Sequence, residues 1–325
     1  MAKKPKEEKQ GIDVLIESLE KKYGVNRSTP EQIQVVSSGS LQLNQATGIG
    51  GIPVGKIVEL FGMESGGKSS IALHAISEFQ KAFPDKKVAL FDYEHSFDKK
   101  YATQIGVNID NLLIYQPDNM ESGYDLILSL VQNDLVSLVV LDSQTAALPK
   151  AVIDGDIGDA TIGLQARINS KFCGKIKGLL DLHKTTLLSI SQTRANIGGM
   201  SQGDVSTGGN AWKFYADMRW KVWKLNDKEN DLNKTTVDII KNKLAAPFGQ
   251  AKINVLWGIG YDTLGEIIDY AVEFDLIKKG GSWFTFREEK FQGTDNVKAF
   301  LNDNPEILEY LKTEVLNRLK DGYSN

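Results

Sequence analysis

The sequence predicts an α/β fold with a mainly parallel central sheet, an N-terminal helical arm and a small C-terminal α+β domain. In the middle of the chain, short and fully apolar runs alternate with helical patterns, which is typical of a parallel sheet covered by helices on both faces. A glycine-rich, phosphate-binding pattern joins one of these runs to the helix that follows it. The length of 325 residues suits about two domains.

Composition and charge narrow the classes of function. Hydrophobic residues make up 41% of the chain and charged residues 25%, as in ordinary globular proteins. A formal net charge of −4 excludes a bulk polycation, so any nucleic-acid binding must depend on local loops. The single cysteine, Cys173, excludes an intramolecular disulfide framework, so we expect a cytoplasmic protein. The charged N-terminus and the lack of an apolar run of about 18 residues predict neither a secretory signal nor a membrane partner.

The N-terminal arm is predicted over residues 1–32. We expect its first ten residues to be disordered, because they are mostly Lys, Glu and Gln. Apolar residues from Ile12 to Tyr23 then recur at the spacing of an amphipathic helix, and a polar linker follows. Such a helix cannot bury its apolar stripe alone, so it either folds back on its own domain or docks on a neighbouring copy.

The core is predicted over residues 33–261 and the small C-terminal domain over residues 262–325. The core alternates strands with helices, at Ile57–Phe61, Ser69–Phe83, Val88–Asp92, Asp98–Ile105, Leu112–Tyr115, Ser122–Gln132, Leu138–Asp142, Gly163–Leu182 and Thr186–Ser191. Three more strands come without intervening helices, so we expect them to extend the sheet in antiparallel fashion, at Met218–Leu225, Thr236–Asn242 and Lys252–Trp257. The C-terminal domain shows a helix over Leu264–Phe274, a hairpin around Ser282–Phe286 and a helix ending near Leu319.

A phosphate site is indicated by the run GMESGGKS, which follows an apolar strand and opens a helix. Glycines let successive backbone N–H groups curl around a phosphate, and the start of the helix adds a favourable dipole. In this pattern Lys68 reaches the β- and γ-phosphates and the Ser69 hydroxyl binds Mg²⁺. The alternative is a glycine-rich turn with an incidental lysine. The residues of this segment predicted to bind the triphosphate, which the resemblance given below identifies as ATP, are Gly62, Glu64, Ser65, Gly66, Gly67, Lys68, Ser69 and Ser70.

Two carboxylates follow buried strands of the predicted sheet. Asp142 ends one strand, where parallel sheets place their ligands, and either holds Mg²⁺ or caps the next helix. Glu94 follows another strand and either polarises the water that attacks the γ-phosphate or is a surface carboxylate. We therefore expect a triphosphate and Mg²⁺ as ligands, with Ser69 and Asp142 on the metal; the choice of ATP is implied only by the family resemblance given below.

Two long loops interrupt the core, at Lys150–Ile162 and Arg194–Asn210. Loops of this length inside a compact domain are usually functional or disordered. Among the tryptophans, only Trp212 lies beside the second loop, so we single it out for proximity to a ligand of that loop.

Several runs, taken together, resemble the bacterial RecA recombinase family: GMESGGKSS, FDYEHSFDKKYATQIGV, DNLLIYQPD, VVLDS, IDGDIGDATIGLQARINS, TGGNAWKFYA and KNKLAAPFGQA. The similarity extends from about Ile12 to about Asn304, and its motifs agree in type, order and spacing. It implies a RecA-like P-loop ATPase core and an ATP-dependent helical filament, a homo-oligomer in which residues 1–32 act as the oligomerisation arm. Such a filament coats single-stranded DNA, pairs it with homologous double-stranded DNA and exchanges strands.

The resemblance also implies roles for individual residues around the nucleotide. Asp142 becomes the Walker B acid and Glu94 the catalytic carboxylate. Tyr101 stacks on adenine, and Asp98 contacts its amino group. The remaining catalytic residues are a sensor of the γ-phosphate and two lysines that reach the ATP of the adjacent protomer, namely Gln192, Lys241 and Lys243. Without the resemblance, these lysines would be interpreted as solvent-facing residues of an edge strand.

The two loops match the DNA-binding loops of the family. Arg194 pairs with phosphate, Ile197 wedges between bases, and Arg167 on the helix after the first loop contacts DNA. The family also places backbone N–H groups and an amide of the second loop on the phosphodiester, here Gly208, Gly209 and Asn210. The sequence departs from the family pattern at Ile162, Gly174 and Ser201, where a methionine, an arginine and an aromatic residue are usual.

Two other functions are compatible with the same ATPase core. A ring-forming, ATP-driven DNA helicase or motor would need a ring-forming linker, whereas the run Thr207–Asn210 at the end of the second loop favours the recombinase. A non-catalytic, ATP-binding recombination mediator would not need Glu94 beside Lys68 and Asp142. DNA-stimulated ATP hydrolysis separates these alternatives.

Overall fold

The computed structural model describes residues 5–25, 32–156, 163–194, 205–206, 209–225, 233–256 and 258–323. It divides the chain into two compact units, Met1–Gln34 and Val35–Asn325. In the first unit, helix α1 covers Pro5–Tyr23. The expectation that the first ten residues are disordered is therefore wrong from Pro5 onward. Proline is favoured at the first position of a helix, and Lys, Glu and Gln are good helix formers.

The second unit begins with a small sheet and continues into the core. Its elements up to the end of the seventh strand are β1 (Val35–Val36), α2 (Leu41–Ala46), β2 (Ile52–Pro53), β3 (Ile57–Gly62), α3 (Lys68–Ala82), β4 (Lys87–Asp92), α4 (Lys99–Ile105), β5 (Leu112–Tyr115), α5 (Met120–Gln132), β6 (Val136–Asp142), α6 (Lys150–Ile153), α7 (Leu164–His183) and β7 (Thr186–Arg194). The strands and long helices predicted here are confirmed to within two or three residues at most of their ends, because apolar runs and caps such as Asn119 before α5 mark them.

The rest of the core completes the sheet. It contains β8 (Val205–Ser206), α8 (Ala211–Tyr215), β9 (Met218–Leu225), β10 (Asn233–Asn242), β11 (Gln250–Leu256) and β12 (Gly260–Tyr261). The strand order in the large sheet is β12-β11-β10-β9-β3-β7-β6-β4-β5. The strands from β9 to β5 in this order are parallel, and β10 and β11 are antiparallel. The fold prediction of a mainly parallel sheet is confirmed.

One part of that prediction is wrong. Strand β9 pairs with β3 in parallel, with Val58 opposite Met218 and Phe61 opposite Lys221, and not in antiparallel fashion. The connection from β7 to β9 is long enough for the crossover that parallel neighbours require. The antiparallel extension begins one strand later, at β10.

Apolar side chains cover both faces of the sheet. On one face Val58, Leu60 and Val140 pack with α3, and on the other Ile57, Val139 and Leu141 pack with α5 and α7. Trp212 belongs to this second core: it is 1% exposed and its ring lies 6.1 Å from that of Phe172. Trp212, which the sequence singles out for proximity to a ligand of the second loop, is thus a buried core residue without a surface to offer that ligand.

The C-terminal part has more elements than the sequence predicts. It contains α9 (Thr263–Glu273), β13 (Lys278–Gly280), β14 (Trp283–Phe286), β15 (Glu289–Gln292), α10 (Thr294–Asp303) and α11 (Pro305–Tyr323). The predicted hairpin is a three-stranded sheet, and the final helix is two helices. The break falls at Asn304, because the ring of Pro305 disfavours the helical conformation of the residue before it. Among the residues with described structure, no helix is both long enough and apolar enough to cross a membrane.

Candidate active site

The phosphate loop connects β3 to α3 and fits closely against the neighbouring strands. A Cβ atom on Gly62 would lie 2.0 Å from the carbonyl oxygen of Val222 in β9. A Cβ atom on Gly67, whose φ is 98°, would lie 2.8 Å from Oγ1 of Thr235 in β10. Glycine fits both positions without a shift of these neighbours, so the loop backbone is free of side chains where it would curl around a phosphate.

Lys68 places its ammonium group inside this loop. Its Nζ donates hydrogen bonds to the carbonyl oxygens of Gly62, at 3.1 Å, and Met63, at 2.7 Å. Burial lowers the pKa of Lys68, while the nearby carboxylates of Asp142 and Glu94 act in the opposite direction. The carbonyls therefore hold a partly desolvated cation next to the glycine backbone, where an anionic ligand would compete for it.

Ser69 and Asp142 lie side by side at the carboxyl edge of the sheet. The Ser69 hydroxyl donates to Oδ2 of Asp142 at 3.0 Å. Burial, with a smaller contribution from Glu94, raises the pKa of Asp142 to about 6. The next helix, α6, begins only at Lys150, so Asp142 does not act as the cap of a following helix. A hydroxyl and a carboxylate are hard oxygen donors, and this pair beside a phosphate loop fits Mg²⁺.

Glu94 and Gln192 contact each other at the ends of β4 and β7. The Gln192 side-chain amide donates to Oε1 of Glu94 at 2.7 Å. The backbone N–H of Gln192 donates to Oγ1 of Thr145, at 3.0 Å. The carboxylate is exposed and its amide partner half-buried, so both can meet a ligand bound at the phosphate loop.

A cleft of about 460 Å³ continues from the phosphate loop. Tyr101 lines it, with its hydroxyl 3.0 Å from that of Ser70. Asp98 also lines it and caps α4 by accepting hydrogen bonds from the backbone of Lys100 and Tyr101. The sequence did not indicate several other lining residues, which are Lys100, Gln104, Lys224, Thr235, Val255 and Gly258. Those on β9, β10 and β11 could be found only by knowing the strand order.

Lys241 and Lys243 lie away from the phosphate loop of their own chain. Lys241 pairs across the sheet with Arg219, which pairs with Glu59, three residues before the loop begins at Gly62. At about 3.3 Å per residue, this separation is about 10 Å along the strand. The ammonium of Lys241 donates to the backbone carbonyls of residues 213 and 214, and burial lowers its pKa to about 8.

Some of the predicted DNA-binding residues lie together. Gly209 packs on the first turn of α7, because a Cβ atom there would lie 2.5 Å from Cβ of Ala166. Asn210, the next residue in the chain, is exposed. Arg167, which follows Ala166 in α7, is also exposed. Arg194 ends β7, and its backbone pairs with Val205 of β8. The predictions for Ile197 and Gly208, and for the end of the first loop, lie outside the described residues.

These features define a class of protein. A parallel sheet carries a glycine-rich loop between β3 and α3, with Lys68 and Ser69 at the helix start and Asp142 on a neighbouring strand. This is the arrangement of a P-loop nucleoside triphosphatase.

Comparison with known proteins narrows the class to one family. The family model of the RecA N-terminal domain matches residues 10–262, and that of the RecA C-terminal domain matches residues 265–320. Protein RecA of Campylobacter jejuni strain 81-176 is 40% identical over 324 residues, which are 96% of this chain and 94% of the relative. Protein RecA of Bacteroides thetaiotaomicron is 40% identical over 325 residues, covering 96% and 98% of the two chains. The chain belongs to the RecA family, and the family resemblance seen in its motifs is confirmed.

Proposed function

We propose that the protein is an ATP-dependent recombinase. It forms a helical filament of its own copies on single-stranded DNA, pairs that strand with a homologous duplex and exchanges strands. The observation that carries this proposal is the meeting of Lys68, Ser69, Asp142, Glu94 and Gln192 at one sheet edge, in a chain that belongs to the RecA family.

ATP is the substrate of the phosphate loop. Its β- and γ-phosphates take the place of the carbonyls that now accept from Lys68, and an anionic oxygen is the stronger acceptor. Ser69 and Asp142 would hold Mg²⁺, which would supply positive charge to offset the charge that develops on the γ-phosphate. The base stacks on Tyr101, and Asp98 accepts from its amino group, so the cleft of 460 Å³ beside the loop is the adenosine site.

Glu94 acts as the base that orients and deprotonates the attacking water. In this structure one of its oxygens is held by the amide of Gln192. When that amide turns to an oxygen of the γ-phosphate, Glu94 is released to accept from water. Gln192 thus reports the presence of the γ-phosphate, because hydrolysis removes its acceptor.

Lys241 and Lys243 complete the site of the adjacent protomer. Their separation from their own phosphate loop leaves them no role there, whereas a neighbouring copy can bring its ATP to them. Cations supplied in this way stabilise charge in the transition state, as an arginine finger does. Hydrolysis of ATP then requires assembly.

Single-stranded DNA binds on the face formed by Arg167, Gly209 and Asn210, together with Arg194, Ile197 and Gly208 of the second loop. Arginines and backbone N–H groups contact phosphates, which carry no sequence information. This non-selective contact suits a protein that must exchange strands of any sequence.

The test measures ATP hydrolysis against single-stranded DNA concentration, with negative-stain imaging of the same samples under a slowly hydrolysed ATP analogue. We expect DNA-stimulated turnover and helical filaments, and Lys68→Ala should abolish both. Closed rings would indicate a motor instead. ATP binding with neither filaments nor stimulation would indicate a mediator, and either result would contradict the proposal.

A further inference from the structure

A chain of buried side-chain hydrogen bonds crosses the core from the phosphate-loop strand to α5. The Tyr124 hydroxyl donates to Asn169 at 2.7 Å, and the Asn169 amide donates to Gln144 at 3.2 Å. The Gln144 amide donates to the Ser191 hydroxyl at 3.1 Å, which in turn donates to Glu59 at 2.9 Å. We call these five residues the relay. None of them is more than 3% exposed.

The relay has one direction of donation. Glu59 pairs with Arg219 and, as a carboxylate, can only accept, so Ser191 must donate to it. The Ser191 oxygen is then available as an acceptor for the amide of Gln144, whose carbonyl accepts in turn from Asn169. In a desolvated interior such an ordered chain of donors strengthens each link and fixes the orientation of every amide.

The segment Gln144–Ala147 is held from two sides. On one side, Oγ1 of Thr145 accepts from the backbone N–H of Gln192, at 3.0 Å. On the other side, the side-chain amide of Gln165 in α7 donates to the carbonyls of Gln144, Thr145 and Ala147, at 3.2, 3.4 and 2.9 Å. The segment therefore lies between the end of β7 and the first turns of α7.

We propose that Gln144, Thr145, Gln165 and Asn169 are positioning residues that couple the nucleotide state sensed at Gln192 to the DNA-binding face of α7. The relay and the held segment connect the end of β7 to the helix that carries Arg167. The same first turn of α7 supports Gly209. A shift of Gln192 on binding or losing the γ-phosphate is transmitted through Thr145 and Gln165 to this face. This inference rests on the proposed function.

The relay also explains why α7 follows the segment as a rigid body. Asn169 ties α7 to Gln144 and, through Tyr124, to α5. The Tyr124 ring stacks on Phe172, with ring centres 4.0 Å apart, so polar and apolar contacts hold the same helix face. A packed element of this kind changes position as a unit and does not deform gradually.

The test compares the affinity for single-stranded DNA in two nucleotide states. The dissociation constant is measured by fluorescence anisotropy with a slowly hydrolysed ATP analogue and with ADP, and the ratio of the two is the coupling factor. Couplings of this kind span about 5- to 150-fold. Thr145→Val keeps the shape of the side chain and removes the oxygen that accepts from the backbone N–H of Gln192. The double variant Tyr124→Phe/Asn169→Leu removes a donor and its acceptor together, and it also removes the donor to Oε1 of Gln144.

We expect both variants to lower the coupling factor at least about fivefold, while affinity in ADP stays within about twofold of wild type. The matched control is Thr186→Val, on the same strand β7 but at its other end. There a buried hydroxyl donates to the carbonyl of Pro53 at 2.9 Å, and we expect its loss to leave the coupling factor unchanged. A general loss of packing would affect the control as well.

Two results would overturn the inference. If Thr145→Val, with a wild-type circular dichroism spectrum, keeps the full coupling factor, the segment does not carry the signal. If Thr186→Val lowers the factor equally, the effect is one of stability. Absence of any coupling in the wild-type protein would contradict the proposed function itself, which distinguishes the two failures.

Discussion

Adding a single methyl group to each glycine of the phosphate loop tests how the loop is held. In Gly62→Ala the new Cβ atom lies 2.0 Å from the backbone oxygen of Val222, and separations below 3.0 Å are essentially never found. The loop and β9 must therefore move apart by about 1 Å, which weakens the charge-assisted hydrogen bonds from the loop N–H groups to the phosphates. At roughly 1.5 kcal/mol for each such bond, the loss of two amounts to about 3 kcal/mol, so we expect the affinity for Mg²⁺–ATP to fall by about a hundredfold.

The same substitution at Gly67 and Gly66 should lower the affinity for Mg²⁺–ATP by successively smaller factors. In Gly67→Ala the nearest atom is a side-chain oxygen of Thr235, which can give way, but a φ of 98° remains. A left-handed alanine costs about 1–2 kcal/mol, or roughly five- to thirtyfold in affinity, and adding Thr235→Ala should relieve only the steric part. In Gly66→Ala the nearest atoms lie at 3.3 Å, without a positive φ, so we expect a change below about fivefold, or 1 kcal/mol.

Isothermal titration calorimetry with ATP and Mg²⁺ measures the series, and thermal unfolding monitors the fold. The control is Gly178→Ala in α7, where a Cβ atom meets nothing within 4 Å. A methyl group in this open helical position should stabilise the protein by up to about 1 kcal/mol and leave ATP binding unchanged. Wild-type affinity in Gly62→Ala, or a smaller loss there than in Gly66→Ala, would refute the argument that β9 holds the loop.

Three further predictions concern catalysis, DNA and pH. Glu94→Ala should slow DNA-stimulated ATP hydrolysis at least about a hundredfold while ATP-dependent filaments still form; steady-state turnover beside imaging measures this, and surviving turnover would exclude Glu94 as the base. Arg167→Ala should weaken single-stranded DNA binding and reduce the slope of log K against log salt by about one, which anisotropy at several salt concentrations measures; an unchanged slope would exclude a phosphate contact. Burial raises the pKa of Glu266, which accepts from Ser40 and Leu41, from 4.5 to about 7. Because the folded state prefers the protonated acid, the free energy of unfolding should fall as pH rises from 4.5 to 7, by up to roughly 3 kcal/mol relative to Glu266→Gln. Urea unfolding measures both proteins across that range. A difference between them that does not change with pH would contradict the reasoning.

The elements of the core could be predicted because each carries its own local signal. The sequence predicts β5 over Leu112–Tyr115 and β9 over Met218–Leu225, and both bounds are confirmed. Both are runs of apolar or alternating residues bounded by turn residues. The direction of β9 carries no such signal, since an alternating strand can pair either way and only the path of the chain decides.

In the nucleotide site, too, some residues have a local sequence signal and others are placed only by the order of the strands. Lys68, Ser69 and Asp142 lie within or directly after strongly patterned segments, and the hydrogen bond from Ser69 to Asp142 follows from the parallel strand order β3-β7-β6. Thr235 and Lys224 lie beside the same cleft only because β9 and β10 follow β3 in the sheet. Residues of that kind could not be found from one sequence, because nothing in their own neighbourhood refers to a phosphate.

Glycine is required in the loop for two reasons: the space needed for a phosphate and the close contact of the loop with β9 and β10. The sequence pattern shows only the first. A glycine-rich loop is expected wherever backbone N–H groups surround a phosphate. This accounts for Gly62 and Gly67 on the side of the loop that faces the phosphate. Behind the loop, the backbone carbonyl of Val222 excludes a Cβ atom on Gly62, and the Thr235 side chain crowds one on Gly67, independently of any nucleotide. Since these contacts come from β9 and β10, and Lys241 extends from the far end of β10, one strand links the back of the loop to the proposed contact with the next protomer. Substitutions at Thr235 should therefore affect nucleotide binding and filament assembly together, whereas Lys241→Ala should spare ATP binding by the isolated subunit.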